Sequence, residues 1–340
     1  APNPKNHAPN IATLPCRKEV IGAELITSPE GVDVNAGWTG QGESGAAENV
    51  IATGVGLGAG AEHTYQVEVV LGIGDVEDGV PIITDCAAMP GGDQGGLFNT
   101  AEITHNDIVD EDLACLTVGL VVVDKSIADG PEANGDGTWT ITYDVLAENV
   151  GGAAAEYDIS DRLRYGEGID VVSADVITVP EGVEALDSWT GLGEDGAVEN
   201  LIATEVLIDV GQVHQYQVRA VVELDGDMVT PGDLQCPPPG SGENGGLANS
   251  AMIDSNGIVS EDEACASLPL IELDKQIADG PTGNGDGTWA ISYELTATNS
   301  GTAPGEYDLA DQLRYGDGIE IENAYVATWP DGVDINTDWT

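Results

Sequence analysis

Thr138-Trp139-Thr140-Ile141-Thr142-Tyr143-Asp144-Val145 alternates polar with apolar residues along its whole length. A period of two puts Trp139, Ile141, Tyr143 and Val145 on one face, with the threonines and Asp144 on the other, as in a half-buried β-strand. A longer run does the same: His214, Tyr216, Val218, Ala220, Val222 and Leu224 face one way, with Gln215, Gln217, Arg219 and Glu223 opposite. Tyr65, Val67, Val69 and Leu71 form an earlier copy of that strand. Shorter strands are expected near 118–124, 155–162, 169–178, 197–204 and 247–253, separated by Asn-Gly, Asp-Gly and Gly-Gly turns. No stretch has the period of a long amphipathic helix. The expected fold class is therefore all-β, built of antiparallel β-sandwiches.

Working outward from these strands, the chain repeats itself. Asp124-Lys125-Ser126-Ile127-Ala128-Asp129-Gly130-Pro131 returns 150 residues later as Asp274-Lys275-Gln276-Ile277-Ala278-Asp279-Gly280-Pro281. Asn134 to Trp139 returns at Asn284 to Trp289, and Arg164-Tyr165-Gly166 at Arg314 to Gly316. Trp38-Thr39, Trp189-Thr190 and Trp339-Thr340 mark the same phase three times. The repeat is about one domain long. The phase implies a complete unit at 120–269, a partial unit without its opening strands at 20–119, and the opening part of a further unit at 270–340. Residues 1–19 match nothing and read as an extended N-terminal arm.

Charge decides what the chain can meet. Nine Lys and Arg against 61 Asp and Glu give a net charge of −52. That balance excludes nucleic acid, whose phosphates need clustered cations, and disfavours anionic membrane surfaces. No run approaches the roughly 20 apolar residues of a spanning helix. The chain is expected to fold, because 41% of it is hydrophobic and patterned. An acid coat suits concentrated salt or divalent cations outside the cell.

Cys86 and Cys115 are 29 residues apart, and so are Cys236 and Cys265, at matching phase. Recurrence of the spacing, with no further metal ligands nearby, predicts one disulfide in each unit and an oxidising compartment. Cys16 has no counterpart, and is either a free thiol or the partner of another molecule.

The order Tyr143, Asn149-Val150-Gly151, Tyr157, Asp161-Arg162-Leu163, Gly168, Gly211, Tyr216 and Asn249-Ser250-Ala251 resembles the immunoglobulin-like tandem repeats of bacterial and archaeal cell-surface proteins. Asn99-Thr100-Ala101 matches the family's closing motif, and Asn299-Ser300-Gly301 with Asp311-Gln312-Leu313 matches its earlier ones. Arg164 and Arg314 depart from it, standing where the family usually has Pro. The resemblance covers nearly everything after residue 20. It implies tandem immunoglobulin-like sandwiches, and it allows an intramolecular isopeptide bond between a first-strand Lys and a last-strand Asn beside a buried acid.

The residues bear on that bond independently. Two of only four Lys, Lys125 and Lys275, recur at one repeat phase on the first strand. Lys125 has Asn249 as the matching amide and Asp161 as the acid, and Lys275 has Asn99 as its equivalent amide. The alternative is that Lys125 pairs with Asp124 or a neighbouring carboxylate. A second candidate site is the loop from Asp129 to Gly137, where Asp129, Asn134 and Asp136, and in the next copy Asp279, Asn284 and Asp286, offer oxygens to calcium. The same residues make a hairpin turn, since Asn-Gly and Asp-Gly supply positive φ.

Nothing points to catalysis. His7, His63, His105 and His214 do not recur with a Ser or Cys nucleophile and an orienting acid. His214 reads as a strand-end residue, and the repeated Trp as packing between sheets. The expectation is a non-enzymatic, extracellular, structural module of a surface stalk or filament that requires no cofactor, with calcium as the only candidate ligand. Its partners would be neighbouring repeats or head-to-tail subunits, the opening strands of one molecule completing the partial unit of another. The alternative is an adhesin that recognises carbohydrate or protein through loops such as 226–246.

Overall fold

The computed structural model describes residues 18–42, 45–73, 84, 86 and 95–336; Cys16 and most of the N-terminal arm lie outside that set. Fourteen strands follow in order: β1 (Lys18–Thr27), β2 (Gln66–Ile73), β3 (Leu97–His105), β4 (Ile108–Leu116), β5 (Val121–Ala133), β6 (Thr138–Asn149) and β7 (Ala155–Leu163), then β8 (Ile169–Thr178), β9 (Leu201–Ile208), β10 (Val213–Leu224), β11 (Asn249–Ser255), β12 (Ile258–Ala264), β13 (Ile271–Gly283) and β14 (Trp289–Asn299). Every pairing is antiparallel.

Strands β5 to β12 make a β-sandwich. One sheet has the order β5-β6-β10-β8 and the other β12-β11-β7-β9. Hairpins open and close the unit, and between them the chain changes sheet at each step, so the two layers are interleaved. Alternation in the sequence becomes alternation in burial. Ile141, Tyr143, Val145 and Ala147 of β6 and Tyr216, Val218, Ala220 and Val222 of β10 are buried. They share one core with Tyr157, Ile159 and Leu163 of β7, Ile202, Val206 and Ile208 of β9, and Ala251 and Ile253 of β11.

The edge strand β5 is not left bare. Ser260 Oγ accepts from Val123 N at 3.0 Å and Asp262 Oδ2 accepts from Lys125 N at 2.7 Å, so side chains of β12 satisfy donors that a sheet edge would otherwise expose.

The strand expected near 197–204 starts later, at Leu201, because a short 3-10 turn over Val198–Asn200 precedes it. Asn200 causes the delay. Its buried side chain accepts from Gly193 N at 2.9 Å and donates to Gly193 O and Glu194 O, closing the loop before the strand can begin.

Outside the sandwich, the same local pairings recur. β1 pairs with β2 in the register of β8 with β10, and β3 with β4 in that of β11 with β12. β13 and β14 repeat the β5–β6 hairpin. Residues 305–340 are set apart as a small second unit, whose described residues hold turns and no strand.

Candidate functional site

The most chemically unusual group in the sandwich is a lysine in its core. Lys125 continues the inward series Val121, Val123 on β5 and is only 5% exposed. Asp161 continues Tyr157, Ile159 on β7 at 1%, and Asn249 opens the inward series of β11 at 0%. In the β7–β11 register Asn249 stands opposite Leu163 and Ala251 opposite Asp161, so the acid and the amide are diagonal neighbours on one inner face. Lys125 reaches Asp161 from the facing sheet.

The ammonium of Lys125 pairs with Asp161 Oδ2, and both side chains are wholly shielded from water. Of the expected ion-pair alternatives, the partner is thus a carboxylate on the facing sheet and not Asp124, which projects from the opposite face of β5. Burial pushes the Lys125 amine below its ordinary range, against the opposing pull of Asp161. Its Nζ lies 5.1 Å from the centre of the Tyr143 ring. That ring is held in turn, because Tyr143 Oη donates to Leu247 O at 2.7 Å. Trp189, at the recurring Trp-Thr, donates Nε1 to Asp161 O at 3.0 Å and fixes the acid's backbone.

The hydrogen-bond balance of this cluster does not close. Asp161 Oδ1 and both polar atoms of the Asn249 side chain are buried without a partner. A buried polar group left unmade costs about 1–3 kcal/mol, and native proteins seldom tolerate one without a reason. Here the unpaired atoms belong to the acid that binds the buried amine and to its diagonal neighbour on the same inner face. A lysine depressed by burial, a carboxylate paired with it, and an amide whose polar atoms are unpaired have the composition needed for amide exchange.

The other expected sites are placed as follows. Both disulfides are formed, Cys86–Cys115 and Cys236–Cys265. Asn99 and Lys275 stand exposed on two different two-stranded sheets, and Lys275 Nζ lies 4.7 Å from the Tyr293 ring centre. The stretch expected as a loop from Asp129 to Gly137 divides: Asp129 to Ala133 continue β5, and the hairpin turn is residues 134–137, with Gly135 and Gly137 at φ 80 and 97. Asp136 Oδ1 accepts from Thr138 N at 3.1 Å and Thr138 Oγ1 at 2.7 Å, which holds its carboxyl below the usual range. Asn134 donates to Thr138 and Thr140, and Asp129 is exposed within β5. Asp286 and Asn284 bond Thr288 in the same way, and Asp279 is exposed on β13. Among the described residues no group of three His, Cys, Asp or Glu is arranged for a metal ion. His214 sits at the start of β10 with Nδ1 2.8 Å from Tyr157 Oη, which itself bonds Tyr216 Oη at 2.8 Å.

Sequence reasoning did not single out Tyr143 and Trp189 as supports of the site. The signal was present in their fixed spacing from Lys125 and Asp161, but a Tyr or Trp in a strand reads first as core.

No family model matches the chain, and neither does any curated protein sequence. Among solved structures, the full-length major pilin SpaD from Corynebacterium diphtheriae is similar over 87% of this chain and 76% of that chain, with 14% identity and a TM-score of 0.23. At that level of similarity the functional reading rests on the geometry of the site.

Proposed function

We propose that this chain is a structural segment of an exported cell-surface stalk or filament, in which β-sandwiches placed end to end are each locked by an internal Lys–Asn isopeptide bond. One observation carries the reading: Lys125, Asp161 and Asn249 are buried together, with the amide and half of the carboxylate unpaired. The reaction is self-directed. Lys125 Nζ gives a proton to Asp161, attacks Cγ of Asn249, and forms a C–N bond as the Cγ–Nδ2 bond breaks. Of the two protons that Nζ loses, one leaves with Nδ2 as ammonia and the other stays on Asp161, so atoms and charge balance without an oxidant or cofactor. The acid then has the new amide to bond, which removes the unpaired atoms.

A bond from 125 to 249 ties the first strand to a late strand of the facing sheet. On the chain-entropy model such a closure is worth about 5 kcal/mol, and it prevents the sheets from separating under load. Two disulfides fit an oxidising, extracellular setting. The loop 226–246 contributes Val229 and Leu234 to the core, which favours a structural role for it over that of a free recognition loop. The proposed units are 20–119, 120–269 and 270–340. Lys275 and Asn99, equivalents of Lys125 and Asn249, would form the same bond in whichever sandwich each completes, along one array or with a second copy.

Intact mass under denaturing conditions tests this. The expected product lacks one ammonia in addition to the hydrogens lost to disulfides, and Lys125→Ala or Asn249→Ala abolishes that loss. A wild-type mass with the ammonia retained overturns the reading.

A further inference from the structure

We infer that the two segments flanking each disulfide form a clamp that grips the Asn-x-Gly turn of the following repeat, making successive repeats meet at a hydrogen-bonded joint. This goes beyond the isopeptide proposal and rests only on the division into repeats. The same joint occurs twice, 150 residues apart.

At the first joint Thr84 is buried. Its carbonyl accepts from Val118 N at 3.3 Å, and its Oγ1 accepts from Gly152 N at 3.1 Å. At the second, Leu234 and Leu268 occupy the positions of Thr84 and Val118 and are fully buried. Thr302, at the position of Gly152, donates Oγ1 to Leu234 O at 3.1 Å and N to Leu268 O at 3.2 Å. The hydroxyl has moved from the clamp to the turn, yet the same positions are joined. A contact kept while its donor and acceptor change sides belongs to the geometry of the joint and not to one side chain.

The Asn-x-Gly motif supplies the other half. Asn149 Oδ1 accepts from Leu120 N and Gly151 N, and its Nδ2 donates to Ala153 O. Asn299 makes the same three bonds with Leu270, Gly301 and Ala303. The linker therefore lies strapped against the turn. Only glycine permits this, since a Cβ on Gly151 would stand 2.3 Å from Leu120 N, and one on Gly301 2.3 Å from Leu270 N.

The disulfide has a position to match. Cys86 follows Thr84 by two residues and Cys115 precedes Val118 by three; Cys236 and Cys265 flank Leu234 and Leu268 in the same way. The bridge holds the two sides of the clamp together at the point where the next repeat enters. A glycine packs on it each time, Gly96 and Gly246, both at positive φ and within 3.3 Å of a cysteine sulfur for a built Cβ.

Amide hydrogen exchange on the full chain tests this. Cys86→Ser with Cys115→Ser leaves the bridge of the complete sandwich in place, and Thr84→Val removes only the hydroxyl. The disulfide-free variant is expected to exchange about tenfold faster at Val118 and Gly152, with Thr302 and the amides of β6, β10 and β11 unchanged. Thr84→Val is expected to raise exchange at Gly152 alone and by less, because that N–H also donates to Val118 O at 2.9 Å. Unchanged protection of Gly152 in both variants overturns the clamp. Failure of the repeat division would show differently, as unprotected β6 and β10 amides in the wild type, and failure of the isopeptide bond only in the mass.

Discussion

The β5–β6 and β13–β14 hairpins share nearly one sequence and differ in what covers them. Val121 faces Asn149 and Ile271 faces Asn299; both hairpins slip register after Ile127 or Ile277 and again before the turn. Their turns use the same Asn, Asp and Thr bonds. Yet Val123 is 7% exposed and its equivalent Leu273 is 54%, while Lys125 is buried and Lys275 exposed. Local sequence makes the hairpin, and the facing sheet makes the core. The pairing of lysine with tyrosine belongs to the hairpin, since it is present in both copies. Desolvation and the acid belong to the sandwich.

If that division is right, Lys125→Ala and Lys275→Ala separate widely. The first removes the cross-link and strands Asp161 as a buried charge, a loss of about 3–5 kcal/mol for the broken pair alone. For the 340-residue chain on its own, where β13–β14 is a two-stranded sheet with Lys275 exposed, the second is expected to stay within about 0.5 kcal/mol. Chemical denaturation of both variants reads the difference, and equal losses would break the comparison.

Alkaline pH probes the same contrast. Burial raises Tyr143, Tyr157, Tyr165 and Tyr216 above the ordinary phenol value of 10.0. The unfolded chain gives up those protons near pH 10 while the native sandwich keeps them, so stability falls as pH rises from 10 toward the raised native values. Lys125 acts in the opposite sense while it is a free amine. Its native pKa is lowered, so its contribution grows with pH up to the unfolded value of 10.5 and is lost on acidification. Once acylated it has no titration. Wild type is therefore expected to lose stability monotonically above pH 10. Asn249→Ala, with its amine free, should show a shallower decline in urea midpoints over the same range.

Tyr143→Phe sharpens the comparison at the level of one hydroxyl. It leaves the Leu247 carbonyl buried without its donor, a loss of about 1–3 kcal/mol, whereas Tyr293→Phe is expected to change the melting midpoint negligibly. A smaller cross-link yield in Tyr143→Phe, read by mass, would show that the ring also positions Lys125.

The smallest effect concerns ions. The hairpin turns are alike in both copies, with Asp136 and Asp286 already committed to Thr138 and Thr288. Sodium and calcium at equal ionic strength are therefore expected to raise the melting midpoint equally, by screening a charge of −52. Calcium acting at concentrations where sodium is inert would instead make both loops metal sites.

Much of the site was legible because repetition does the work of comparison. With 61 acids in the chain, neither chemistry nor recurrence alone marks Asp161; its place in the Asp-x-Leu motif of the repeat family does. The caps on β5 were not legible. Ser260 and Asp262 lie 137 residues from the amides they satisfy, and a polar residue in a strand says nothing about which edge it will meet. The joint at Thr84 was hidden for a similar reason, since its partner belongs to the next repeat and its own hydroxyl does not recur at Leu234.

The amino-acid sequence by itself determined most strands of the sandwich, their two faces, the hairpin turns and the cysteine pairing, because alternation, positive-φ glycines and recurrent spacing act within a few residues or recur in phase. Which sheet each strand entered was decided only by the tertiary structure. A period of two distinguishes inside from outside and leaves open what lies across the core, so the meeting of Lys125 with Asp161 and Asn249 had to wait for two interleaved sheets to close around them.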